Sequence, residues 1–262
     1  MSESSSVSGP RVGLFVTCLV DLFRPSVGFA AVRLLEDAGC AVMVPPEQTC
    51  CGQPAYNSGE RASAGKIAKQ VITAFEGFDY IVAPSGSCAA MLRCHYPGLL
   101  EAEPAWHERA QKLAQKTFEL TSFLTDVLGV KQVAARHDGA VVIHESCSAL
   151  REMGVRDQPR ALLGSVAGLT EKPLAHADVC CGFGGMFSVK YGEISGEMAR
   201  KKTADITASG AQTVVGVDLG CLMNIAGRLS REGSPVAVRH VAEILAEMTE
   251  APPIGQPEKS QS

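Results

Sequence analysis

Residues 11–18, RVGLFVTC, and residues 140–147, AVVIHESC, align without a gap, and each is a short apolar run ending on a cysteine. A second pair repeats the pattern, with DYIVAPSGSC (79–88) matching QTVVGVDLGC (212–221). Between the two strings of each half stands a vicinal pair followed by glycine, Cys50-Cys51-Gly52 and Cys180-Cys181-Gly182. Corresponding cysteines are 129, 130 and 133 residues apart. A period above roughly 100 residues marks a duplicated domain, because solenoid units are far shorter.

Outward from these strings the chain alternates strand and helix. Residues 11–17 read as a buried strand, and 25–39 as a helix with Val27, Ala30, Ala31, Leu34 and Leu35 on one stripe and Gly39 as its stop. Residues 41–44 read as a second strand, 63–75 as a helix and 79–83 as a third strand. Residues 104–128 read as helix in two pieces, with the stripe Leu120, Phe123, Leu124, Val127 and Leu128 ending at Gly129, and polar residues 131–138 as a linker. The pattern then restarts with strand 140–144, helix 193–209, strands 213–217 and 236–239, and helix 241–248. The expected fold is α/β in two pseudo-repeated halves, 11–130 and 139–250, each a parallel-sheet βαβ-type domain. Residues 1–10 and 251–262 are expected to be flexible tails.

In a parallel sheet all strands point one way, so their carboxyl ends share an edge where α/β proteins bind ligands. Each repeated cysteine follows a strand. Cys18, Cys50, Cys51 and Cys88 are therefore expected to converge, and so are Cys147, Cys180, Cys181 and Cys221. Four thiolates suit an iron–sulfur cluster or a structural zinc. Adjacent cysteines are awkward on one small tetrahedral ion, because their side chains diverge, whereas a multi-iron cluster offers each a separate metal. Gly52, the turn Ser85-Gly86-Ser87, and Gly182, Gly184 and Gly185 permit close backbone approach. Helix N-termini after the strands would aim N–H groups at an anionic cluster. The cysteine spacing is not that of a ferredoxin.

Ten cysteines among 262 residues leave two over. Cys40, at a strand start, reads as a core residue, and Cys94, six residues after Cys88, as core or an extra ligand. His144, Glu145 and His95 lie near the motifs, where they could tune a cluster or move protons. Arg93, Arg151 and Lys190 read as solvated charge. The stretch 182–185 lacks the G-x-G-x-x-G phosphate-binding pattern. A net charge of −4 gives no basic surface for nucleic acid. The start MSESSSVSGP has no Lys or Arg and no signal-type apolar stretch, and no run of about 18 apolar residues would cross a membrane. A cytoplasmic home is expected, with peripheral membrane docking through partners left open.

FVTCLVDLFRPSVG (15–28), CCGQPAYNSG (50–59), PSGSCAAM (84–91), CCGFGGMFSVK (180–190) and GCLMNIAGRL (220–229) resemble the cysteine-rich CCG domain found in heterodisulfide reductase and in the glycolate oxidase iron–sulfur subunit. The resemblance is closer to the lactate utilization protein A family, and covers residues 11–247. It implies an iron–sulfur electron-transfer subunit, not active alone, of a complex oxidising L-lactate to pyruvate. The eight repeated cysteines would be the cluster ligands, and of the partner subunits one would be ferredoxin-like. Heterodisulfide reductase relatives end each motif in C-x-x-C and carry a noncubane cluster. Here Ala89-Ala90-Met91 follows Cys88 and Leu222-Met223-Asn224 follows Cys221. Four ligands per site fit two [4Fe–4S] clusters. The alternatives are a heterodisulfide or thiol–disulfide reductase-like subunit, a glycolate oxidase iron–sulfur subunit, and a zinc-stabilised scaffold.

Overall fold

A computed structural model describes residues 9–257. Of the expected tails 1–10 and 251–262, residues 1–8 and 258–262 lie outside the described residues. The first half builds β1 (Arg11–Leu14), β2 (Ala41–Met43), β3 (Tyr80–Ala83) and β4 (Thr117–Glu119) into one sheet of order β2-β1-β3-β4. The second builds β5 (Arg136–His144), β6 (Ala167–Glu171), β7 (Thr213–Gly216) and β8 (Ala237–His240) in the order β6-β5-β7-β8. All neighbouring strands are parallel. The α/β class and the duplication are therefore as read from the sequence.

The central strands are buried on both faces. Val12, Leu14, Ile81 and Val82 of the first sheet and Val141, Val142, Val214 and Val215 of the second are excluded from solvent, as strands covered by crossover helices must be. The covering helices carry the expected stripes. Pro25–Asp37 buries Val27, Ala30, Ala31, Leu34 and Leu35, and Arg61–Phe75 buries Ala64, Ala68, Val71, Ile72 and Phe75.

Several expectations change. The stretch 104–128 holds two helical pieces, as expected, but a strand separates them: the helix Pro104–Gln115 stops, β4 follows, and π-helical backbone runs over Phe123–Val127. Pairing decides this, because β4 completes the sheet by aligning Thr117 with Ile81 and Glu119 with Ala83. β6 is likewise a strand that the sequence does not announce. β5 begins at Arg136, inside the expected linker, because Arg136 pairs with Ala167. Residues 251–257 pack against the second half rather than trailing from it. Ile254 is 8% exposed and its N–H donates to the Val238 carbonyl (2.9 Å), while Arg239 donates to the Ala251 carbonyl (2.7 Å).

The halves share a core. Val12, Leu14, Val27 and Leu35 belong to the same buried apolar cluster as Val141, Val214, Leu219 and Val241. Polar contacts cross the same boundary: Arg24 and Ser26 both donate to Glu243 (2.7 Å each), and the Ser87 N–H donates to Asp218 (2.8 Å).

Candidate metal centres

In each sheet one crossover leaves the central pair of strands leftward and the next rightward, so the crevice for ligands opens between β1 and β3, and between β5 and β7. The cysteines stand there. Cys18 is the first residue of the helix Cys18–Phe23, whose N-cap Thr17 accepts the Val20 N–H (3.3 Å). Cys147 has the same place in Cys147–Arg151, capped by Ser146. Cys88 lies in the first turn of Gly86–Ala90, capped by Ser85, and Cys221 in the first turn of Leu219–Arg231. Strand ends thus deliver one cysteine from each central strand to an N-terminal turn, where backbone N–H groups favour anions.

The vicinal pairs come in on loops that turn at glycine. Gly52 and Gly182 take φ of 83° and 86°, conformations open to glycine, and each donates its N–H to the first sulfur of its pair (3.4 Å). The loops are pinned from below. The Tyr96 hydroxyl donates to the Cys51 carbonyl and the Asn224 amide to the Cys181 carbonyl, both at 2.8 Å. Asn224 holds the position of the missing C-x-x-C cysteine. Neither pinning residue is singled out by the sequence, since each becomes functional only through this contact.

Within the first set Cys18 Sγ lies 3.8 Å from Cys50 Sγ. The Cys50 thiol is pulled down to about 3, first by the Cys18 donor and then by the Cys51 donor. The donors Cys18 and Cys51 are pushed up, through that donation and burial. The second set repeats this: Cys180 is pulled down to about 2 by Cys147 and then Cys181, and those two are pushed up. Crowded thiols resist losing their protons together, and a bound metal removes that resistance by replacing protons with cationic charge. This donor chemistry fits a metal or iron–sulfur centre in each half.

The sites differ in their surroundings. His144 is 1% exposed, neither ring nitrogen has a hydrogen-bond partner, and its ligand atom lies within 4.8 Å of the sulfurs of Cys181 and Cys221. Among the described residues no other three potential ligands draw so close. Burial and then the Lys202 charge push His144 down to about 3, which keeps the ring neutral. Beside the first set a cavity of about 200 Å³ is walled by Cys18, Cys51 and Cys88 and, from the other half, by Phe183, Met186 and Asp218.

Most of the remaining candidates are held by contacts of their own, whereas the Arg151 charge acts on Cys147. Cys40 is buried in the core. Cys94 is exposed on the π-helical turn Met91–His95 and donates to the Glu152 carbonyl (3.7 Å), not toward a cluster site. His95 pairs with Glu152 (2.6 Å), and buried Glu145 is paired with Arg156 and Arg160 (3.3 and 2.7 Å). Arg93 donates to the Thr117 carbonyl (2.9 Å).

The cysteine-rich domain family CCG matches residues 12–93 and 141–226, the two halves found in the structure. Lactate utilization protein A of Exiguobacterium sp. is 52% identical over 240 residues, covering 91% of this chain and 98% of that protein. The protein of the same name from Geobacillus kaustophilus is 52% identical over 235 residues, 90% of this chain and 98% of its own. A hypothetical protein from Helicobacter pylori superposes with a TM-score of 0.66 at 11% identity. It covers 96% of this chain, which spans 50% of that longer one, and the likeness shows the fold alone. With this identity along nearly its whole length and a cysteine-rich domain in each half, the chain belongs to the lactate utilization protein A family.

Proposed function

We propose that the chain is the iron–sulfur electron-transfer subunit of a complex that oxidises L-lactate to pyruvate. The observation that carries this reading is the gathering of eight cysteines into two equivalent four-thiol sets at the crevices of two parallel sheets. The name shared by its relatives points to lactate.

Cys18, Cys50, Cys51 and Cys88 would hold one cluster, and Cys147, Cys180, Cys181 and Cys221 the other. A bound [4Fe–4S] cluster supplies reversible one-electron storage at each site. The chain's residues do the rest. N-terminal helix turns and the Gly52 and Gly182 N–H groups offset the negative charge of the thiolates. Tyr96 and Asn224 fix the vicinal loops.

Substrate oxidation itself would fall to partner subunits, one carrying ferredoxin-like clusters. Apolar side chains exposed beside both sets support such docking: Leu22 and Phe23 follow Cys18, and Val189, Tyr191 and Ile194 follow the second vicinal loop. No helix among the described residues is long and apolar enough to cross a membrane, and the reading places the subunit in the cytoplasm. Anaerobically purified protein should contain iron and acid-labile sulfide. Cys50→Ser and Cys181→Ser should each lose about half of both and abolish lactate-dependent growth. Stoichiometric zinc without iron, or growth unaffected by both substitutions, would overturn the proposal.

A further inference from the structure

The two cysteine sets are equivalent, yet their immediate surroundings are not. The ungapped strings that end at Cys18 and Cys147 place Phe15 and His144 at the same position. Phe15 is fully buried in the apolar cluster that includes Cys51 and Cys88, and its ring packs on Phe75 (5.5 Å between centroids). His144 stands against Cys181 and Cys221, the counterparts of those cysteines. The covering helices differ in the same sense. Arg61–Phe75 buries positions 64, 68, 71, 72 and 75, and Gly192–Ala208 buries 195, 199, 202, 203 and 206, a constant offset of 131. Lys202 therefore occupies the place of Val71. It is 1% exposed, and its ammonium donates to the carbonyls of His176 (2.6 Å) and Ala177 (3.1 Å).

An apolar pair in the first half is thus replaced by an N–H-bearing ring and a buried cation in the second. A hydrogen bond to a cluster sulfur and a nearby positive charge both favour the state carrying the extra electron. Neutral imidazole has one N–H to donate, and no protein group takes it. The Lys202 charge acts on Cys147, Cys181 and Cys221, whereas the groups that shift Cys18, Cys50 and Cys51 include no such buried cation. On Cys221 the buried acid Asp218 opposes the Lys202 charge and outweighs it, so the Lys202 effect is carried by Cys147 and Cys181.

We infer that His144 and Lys202 make the second set the more easily reduced of the two, so that an electron entering the chain at the first set comes to rest at the second. The step is a one-electron transfer: the reduced centre at the first set is oxidised by one electron and the centre at the second is reduced by one, with no bond broken and no proton moved. This inference rests on the iron–sulfur reading of both sets.

The test is an equilibrium redox titration of the anaerobic protein, followed by electron paramagnetic resonance, with iron and sulfide measured on each sample. Two one-electron transitions are expected, and Cys221→Ser should remove the one at higher potential. His144→Phe and Lys202→Met should each lower that transition alone, by at least tenfold in the reduced-to-oxidised ratio at fixed poise, which is 59 mV for one electron. His144→Gln, which keeps an N–H donor, should recover part of the loss. Phe15→His should raise the other transition, a readout that does not depend on the second site's variants folding. Iron-loaded variants with both transitions unmoved, or loss of the lower transition in Cys221→Ser, would overturn this inference and leave the iron–sulfur reading intact. Wild-type protein without iron would overturn both.

Discussion

Burial of the Glu119 carboxyl, at the end of β4, lifts it to about 7 against the opposing pull of its donors. One oxygen accepts from the Thr121 hydroxyl and from the N–H groups of Thr121 and Ser122 (2.6, 2.8 and 3.1 Å), while the other has no partner. The folded state therefore binds this proton more tightly than the unfolded chain, where the ordinary value is 4.5. The resulting contribution to stability is fully present below 4.5 and is lost as pH rises through about 7. Its full size is on the order of 3 kcal/mol, since each unit corresponds to about 1.4 kcal/mol. Buried His144 and His240 act in the opposite window. Their folded values are pushed down to about 3 and about 4, chiefly by burial, so their contribution is present above 6.5 and is lost as pH falls through those values. Thermal midpoints at pH 5 and pH 8 separate the effects. The wild type should lose several degrees more across this interval than Glu119→Gln, which has no proton to lose. Parallel profiles for the two proteins would show that Glu119 does not titrate as its burial requires.

At the scale of elements, the glycine turns after the vicinal cysteines make an asymmetric pair. Any side chain at Gly52 or Gly182 meets a left-handed backbone, which costs about 1–2 kcal/mol. At Gly182 a Cβ would also lie 2.6 Å from the Ser195 carbonyl oxygen, which belongs to the helix Gly192–Ala208. At Gly52 the nearest atom is the Ile67 Cγ2, a movable side chain, at 3.3 Å. Gly182→Ala should therefore empty the second set of iron, whereas Gly52→Ala should keep most of the iron of the first. Metal analysis and thermal midpoints on both variants check this, and equal losses would contradict it. The same elements show what could be read before the fold was known. β1, β3, β5 and β7 were legible because strands buried on both faces write continuous apolar runs. β4 was hidden because Thr117–Glu119 continues a helical stripe, and only hydrogen bonding to β3 makes it a strand. β6, AGLTE, is mostly exposed and has no apolar alternation to read. The eight cysteines stood out because repetition sets them apart from an ordinary core thiol such as Cys40. The meaning of Lys202 was not, because its equivalence to Val71 emerges only from which faces of two helices are buried.

For the whole molecule, the decisive contact is the one that fixes the two cysteine sets relative to each other. The first turns of Gly86–Ala90 and Cys147–Arg151 face one another across the boundary between halves, carrying Cys88 and Cys147. Gly86 is what lets them close: a Cβ there would lie 2.4 Å from the Ala149 Cβ and 2.8 Å from its Cα. Its backbone is not left-handed, so alanine would be acceptable at this position in an isolated half. The adjacent Ser87 N–H donates to Asp218 of the other half, so displacement of this turn would also take a donor from a buried acid. Gly86→Ala should accordingly destabilise the protein by about 1–3 kcal/mol, the usual cost of overpacking a tight contact. Gly65→Ala provides the contrast. Gly65 lies within the helix Arg61–Phe75, and its Cβ would meet only the Leu100 Cδ2, at 3.8 Å. That change should be neutral or stabilise by up to about 1 kcal/mol through helix propensity. Denaturant unfolding of the two variants measures the difference directly. If Gly86→Ala proved as stable as Gly65→Ala, the halves could not close over this turn.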